Sequence, residues 1–191
     1  KTEDCTLKKY FISKPYVLYV GAAYPHKNLD GLLSAWKLYQ EKYSTKYSLV
    51  LVGKENYFYT RLLKKIKIQE INNVIYTGFV TDKELVGLYD HARAFIFPSL
   101  YEGFGLPPLE ALARGVPVLS SDRSCLPEVL GEAALYVDPE NNKQFADALN
   151  RITTNEDIRY ALRQNGKHEL QRYSLDKSVI KILSIYDSAL M

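Results

Sequence analysis

Two carboxylates eight positions apart, Glu102 and Glu110, bracket the segment Glu-Gly-Phe-Gly-Leu-Pro-Pro-Leu-Glu. Gly103 and Gly105 permit a tight turn. Pro107 suits the first turn of a helix, where its missing N–H would have no intrahelical acceptor anyway. The run Ala94-Phe-Ile-Phe97 just upstream reads as a β-strand, so the turn aims a helix N-terminus at a strand's carboxyl end. Such an end presents free amides and partial positive charge, the chemistry that holds a phosphate. Pro107 and Pro108 have no N–H, which leaves Phe104, Gly105, Leu106 and Leu109 as donors. Each acid also has an ordinary reading: Glu110 as a first-turn acid opposing the helix dipole, Glu102 as a surface loop acid. A tight turn without a ligand is the ordinary reading of the two glycines. Both acids placed around such a turn make a weaker coincidence than either alone.

A cation for the same site stands in a second loop, Gly21-Ala-Ala-Tyr-Pro-His-Lys-Asn28, where Lys27 precedes a helix and can meet a phosphate as a point charge. His26 beside it is a partial substitute, or a plain exposed histidine. The loop is not G-x-G-x-x-G, which disfavours a dehydrogenase-type dinucleotide site. Lys54 is a further basic candidate or a solvated lysine. The turn Thr77-Gly-Phe-Val-Thr81, with Val80 inside it, either offers backbone to a flat base or merely connects two elements. No Asp-x-Asp occurs, and His26, His91 and His168 lack ligand spacing, so no metal is expected.

The elements that must position these loops alternate. Strands are expected at Tyr16–Val20, Ser48–Val52, 74–77, Ala94–Phe97, 116–119 and Ala134–Val137. Amphipathic helices are expected from Leu29 to Tyr39, over 57–70, 84–91, 143–153, 157–171 and 175–190, and Thr81-Asp-Lys-Glu84 reads as a capping box. Nearly continuous apolar strands alternating with helices predict an α/β fold, one doubly wound parallel sheet with ligands outside the carboxyl ends of its strands. Residues 1–14 read as a linker or strand lead-in and 15–191 as one domain.

Composition narrows the function classes. A net charge of +3 is too small to argue for nucleic acid, and the basic run Arg61–Lys67 is interrupted by apolar residues at helical spacing. No apolar run approaches the ~20 residues of a membrane helix. Cys5 and Cys125, far apart, read as free thiols of a reducing compartment.

The segment from Glu102 to Glu110 resembles the E-x7-E motif of the family-four retaining glycosyltransferases, which have the two-domain GT-B fold. Phe97-Pro-Ser-Leu-Tyr101, Ala111-Leu-Ala-Arg-Gly-Val-Pro-Val118, Ser124-Cys-Leu-Pro-Glu-Val-Leu-Gly131 and Ala134-Leu-Tyr-Val-Asp-Pro139 are similar to the family pattern in order and spacing. The likeness covers nearly all of the chain from Tyr16 onward. It implies a Rossmann-like C-terminal donor domain. Glu110 would accept from the ribose hydroxyls of a nucleotide sugar, and Glu102 would face the donor sugar. The amides of Gly105 and Leu106 would approach the sugar and diphosphate, and Phe104 and Pro107 are further substrate-binding candidates. Lys27 matches the family's diphosphate lysine, Gly21 lies in the loop that carries it, and the 78–80 turn matches the edge that receives the base.

Many relatives have an arginine where this chain has Ala22 and another where it has His26, so Lys27 would carry more of the diphosphate. Relatives that lack the first arginine include bacterial mannosyltransferases, and on this similarity the favoured donor is GDP-mannose. The resemblance further implies transfer with retention, without a metal, to a glycan or lipid-linked acceptor held by an N-terminal domain absent from this chain. Nucleotide-sugar binding with little or no transfer is then expected of the 191 residues. The last helix packs either on that partner domain or on its own. A cytoplasmic location is expected, with peripheral association at the inner membrane face left open. The rivals are an epimerase acting on nucleotide sugars and a non-catalytic nucleotide-binding module; a phosphorylase would need a pyridoxal phosphate lysine in a context not found here.

Overall fold

Hydrophobic runs only four or five residues long, each followed by a helical period, leave each strand with no hairpin partner nearby in the chain, which favours parallel pairing through helical crossovers. The computed structural model describes residues 3–13 and 15–189. A short helix α1 (Glu3–Lys9) leads into β1 (Tyr16–Val20), α2 (Leu29–Lys42), β2 (Ser48–Val52), α3 (Tyr57–Ile68) and β3 (Val74–Gly78). The second half runs α4 (Asp82–His91), β4 (Ala94–Phe97), α5 (Leu106–Ala113), β5 (Val118–Ser121), α6 (Leu126–Leu130) and β6 (Ala134–Val137). Three helices close the chain: α7 (Asn142–Thr154), α8 (Glu156–Glu169) and α9 (Leu175–Ala189).

All six strands are parallel, in the order β3-β2-β1-β4-β5-β6. The order in which strands are added therefore reverses between β1 and β4. With right-handed crossovers, α2 and α3 fall on one face and α4 and α5 on the other. The contacts follow this division: α2 touches α3 and α7, α5 touches α8, and α1 touches α4. Central strands are buried on both faces, which is why β2 and β4 carry no polar side of their own; the edge strand β3 is half-buried throughout. This is the expected doubly wound α/β sandwich.

Several boundaries depart from expectation, each for a physical reason. β5 begins two residues late because Pro117 has no N–H to give the ladder; only its carbonyl takes part, accepting from Phe95 N at 2.8 Å. The strand then runs into Ser120 and Ser121, polar yet buried, whose hydroxyls satisfy backbone carbonyls of Ser121 and Ser99. α3 stops at Ile68, and Glu70 takes a left-handed φ of 50°. The lead-in holds helix α1, with Lys1, Thr2 and Lys14 outside the described residues. α4 starts with the expected capping box of Thr81 and Glu84. On α9, Val179, Ile182, Leu183 and Tyr186 are all exposed, between 47% and 63%, so that stripe does not pack on its own domain; Leu190 lies outside the described residues.

Candidate functional site

The crevice where the strand order reverses lies between the loop after β1 and the loop after β4, the place where doubly wound sheets bind ligands. Two buried tyrosines hold the first loop. Tyr19 donates to Ala22 O at 2.7 Å and Tyr59 to Gly21 O at 2.7 Å, while Tyr76 donates to Gly53 O at 3.0 Å. Gly53 must be glycine here, since a Cβ would stand 2.2 Å from Gly21 O. A 3-10 turn, Pro25–Lys27, then ends on Asn28 in the left-handed region. The two loops are tied by a backbone bond from Leu100 N to His26 O at 2.7 Å.

Across that tie, Lys27 Nζ donates to Glu102 Oε1 at 2.6 Å, with only 18% and 11% of the two side chains exposed. Lys27 also stands 5.6 Å from the centroid of the Phe97 ring. Glu102 is held by its backbone as well: Ser124 Oγ donates to Glu102 O at 2.9 Å and accepts from Glu102 N at 3.4 Å, and Cys125 Sγ lies 3.3 Å from the same carbonyl. Ser124 takes a φ of 58° to make this clasp, backbone strain of the kind that collects at functional sites.

Directly after Glu102 the chain turns through Gly105 at φ 92° into α5. The positive φ favours glycine at 105, and a Cβ there would also push the tip of Leu126, whose Cδ2 would stand 2.9 Å away. Leu106, Pro107 and Pro108 form the first turn of α5, whose leading amides have no intrahelical acceptor and no side-chain cap. Phe104 packs edge-on against Tyr173, ring centroids 5.6 Å apart. Glu110 is the fifth residue of α5, past the first turn, which corrects its assignment as a first-turn acid and weakens the helix-dipole explanation. Its carboxylate accepts from Tyr89 OH at 3.0 Å.

On the far side of β1, a cleft of about 500 Å³ is lined by Gly21, Ala22, Tyr24, residues 52–56, Phe79, Val80, Asp82 and Leu85. Gly78, at φ 72°, turns Phe79 outward and Val80 inward, 75% and 6% exposed. A second cavity, lined by Glu110, Tyr89, Val86, Ala113 and Arg114, shares Asp82 and Leu85 with the first, so the two adjoin.

The structure thus brings Lys27 and Glu102 into contact beside the open end of α5 and sets Glu110 on a neighbouring cavity. The His26 ring points elsewhere, stacked on Tyr24 with centroids 6.0 Å apart. Lys54 lines the cleft. Sequence reasoning missed Tyr19, Tyr59, Tyr76, Tyr89 and Ser124. The available signal was the count of 16 tyrosines, because a tyrosine buried in a core must find an acceptor for its hydroxyl. Cys5 and Cys125 are free thiols. Among the described residues no three His, Cys, Asp or Glu side chains cluster as a metal site, and no helix is long and apolar enough to cross a membrane.

The parallel sheet and the acid pair around a helix-opening glycine are the features on which the resemblance to glycosyltransferases rests, and comparison shows the family. Residues 8–169 match the family described as Glycosyl transferases group 1, and the chain belongs to that family. It is 34% identical over 182 residues to O-antigen chain mannosyltransferase B of Escherichia coli, covering 94% of this chain and 48% of that protein. With O-antigen chain mannosyltransferase RfbU of Salmonella typhimurium it shares 34% over 149 residues, 76% of this chain and 41% of that one. The chain therefore spans less than half the length of these relatives. Among solved structures, a sucrose-phosphate synthase from Thermosynechococcus elongatus superposes with a TM-score of 0.83 at 24% identity, covering 98% of this chain and 49% of the other. That likeness shows the fold alone, a Rossmann-like α/β sandwich of the kind found in GT-B glycosyltransferases.

Proposed function

We propose that this domain binds a nucleoside diphosphate sugar, and that the full-length protein transfers the sugar with retention to a glycan or lipid-linked acceptor. The observation that carries this is the Lys27–Glu102 contact at the β1/β4 crevice, beside the uncapped start of α5. In the proposed complex the diphosphate lies against the amides of Gly105 and Leu106. Lys27 leaves Glu102 to meet it, exchanging one anionic partner for another that carries more charge. Glu110 accepts from the ribose, and the base lies in the cleft by Val80 and Gly21. Glu102, freed of its cation, faces the sugar, where a carboxylate supports positive charge at the anomeric carbon. The amides and Lys27 stabilise charge as it builds on the departing diphosphate, and positioning supplies the rest of the rate.

The favoured sugar is mannose and the favoured donor GDP-mannose, on the support of the mannosyltransferase relatives and of Ala22, which stands where many members of the family carry an arginine. Acceptor binding is assigned to chain outside these residues, and the setting to the cytoplasm. Calorimetry of the 191-residue chain with GDP, UDP and ADP, each with and without its sugar, tests the donor. Tightest binding of GDP and GDP-mannose supports it; preference for UDP keeps the family reading and discards mannose. Binding of none of the three discards the donor-domain reading.

A further inference from the structure

Glu110 reaches out from α5 on a flexible side chain, and an exposed glutamate visits several rotamers. One of its oxygens is not free. Tyr89, on α4, donates to Glu110 Oε2 at 3.0 Å, while its ring is 2% exposed and packs on Phe95 with centroids 5.6 Å apart. The same hydroxyl lies 3.4 Å from Pro107 O, a poorer acceptor at that distance. A phenol has one proton to give, and the shorter bond takes it. Burial, then the charge of Glu110, pushes the tyrosine pKa far above its usual range, so the hydroxyl stays a donor wherever the protein is folded.

We propose that Tyr89 is a positioning residue for the nucleotide: it fixes one oxygen of Glu110 so that the other is presented to the ribose diol in a single orientation. This rests on the ribose role of Glu110 proposed above. A carboxylate has about four acceptor sites, and one bond to Tyr89 leaves enough for two ribose hydroxyls. Orienting it beforehand spares the nucleotide the cost of ordering that side chain on binding.

Tyr89→Phe removes the hydroxyl and keeps the buried ring. Calorimetry with GDP and its 2′,3′-dideoxy analogue, and with the UDP pair in parallel, is expected to show about 3–10-fold weaker binding of the ribonucleotide and no change for the dideoxy form. In a Glu110→Ala background the same substitution is expected to add nothing. Equal losses for both forms, or an undiminished loss without Glu110, would overturn the positioning role, because a structural defect is blind to the ribose. Glu110→Ala alone separates the two ideas. If it discriminates between the forms and Tyr89→Phe does not, only the Tyr89 proposal falls. Failure of Glu110→Ala to discriminate removes the ribose role and the positioning role with it.

Discussion

Lys27 and Glu102, 75 positions apart, share an ion pair of 2.6 Å that bridges the two loops at the point where the sheet reverses. Neither side chain is open to water in the way of a surface pair, whose net worth is about 0–1 kcal/mol. An anion entering the crevice must therefore compete with Glu102 for the lysine, and this sets the sign of several effects.

Glu102→Gln removes the competitor while keeping the shape. Binding of a nucleoside diphosphate without its sugar is expected to tighten several-fold, and transfer by the full-length protein to fall by about 10²-fold or more, the scale of losing a group that stabilises developing charge. Titration and initial rates check both. Weaker binding of the diphosphate would mean that Glu102 does not hold Lys27 back.

Lys27→Ala is expected to weaken nucleoside diphosphate binding on the order of 10–100-fold, the scale of a hydrogen bond to a charged group, and nucleoside binding hardly at all. Competition calorimetry reads the two losses side by side. Equal losses count against the lysine's role and point to a disturbed loop.

Gly105→Ala forces a residue with a Cβ to φ 92°, at about 1–2 kcal/mol for the left-handed backbone, and drives that carbon to 2.9 Å from Leu126 Cδ2. Urea unfolding is expected to show a loss of at least that size. Diphosphate binding should fall further than stability does, because the α5 amides move with the turn.

The capping box at α4 carries a pH dependence. Bonds from Lys9 and from the Thr81 amide lower the Glu84 pKa to about 2. A depressed carboxylate contributes stability that is complete above its unfolded value of about 4.3 and is lost as pH falls through the folded value. Glu84→Gln should therefore lie below the parent protein in thermal midpoint at pH 7, and the gap should close as the pH nears 2. A gap that persists at pH 2 would assign the effect to shape instead.

Much of this was legible in the residues themselves. Apolar runs as short as Ser48–Val52 read as strands buried on both faces, and their alternation with helical periods favours a parallel sheet. Glu102, Lys27 and the glycine turn were visible because their chemistry is local to a loop. Their mutual contact was not, since it depends on strand order, which sets the β1 and β4 loops side by side. The tyrosine clasps were hidden for a related reason: Tyr19, Tyr59 and Tyr89 look like core aromatics, and only the fold reveals which carbonyl or carboxylate each hydroxyl meets. Ser120 and Ser121 escaped the pattern because buried hydroxyls interrupt an apolar run without ending the strand.

A crystal structure of the chain saturated with whichever of GDP, UDP and ADP binds puts the diphosphate site to its most direct trial. The expected result is pyrophosphate density within about 3.2 Å of the Gly105 and Leu106 amides, with Lys27 Nζ swung from Glu102 onto a phosphate oxygen. Density seated elsewhere, with Lys27 still paired to Glu102, would contradict it.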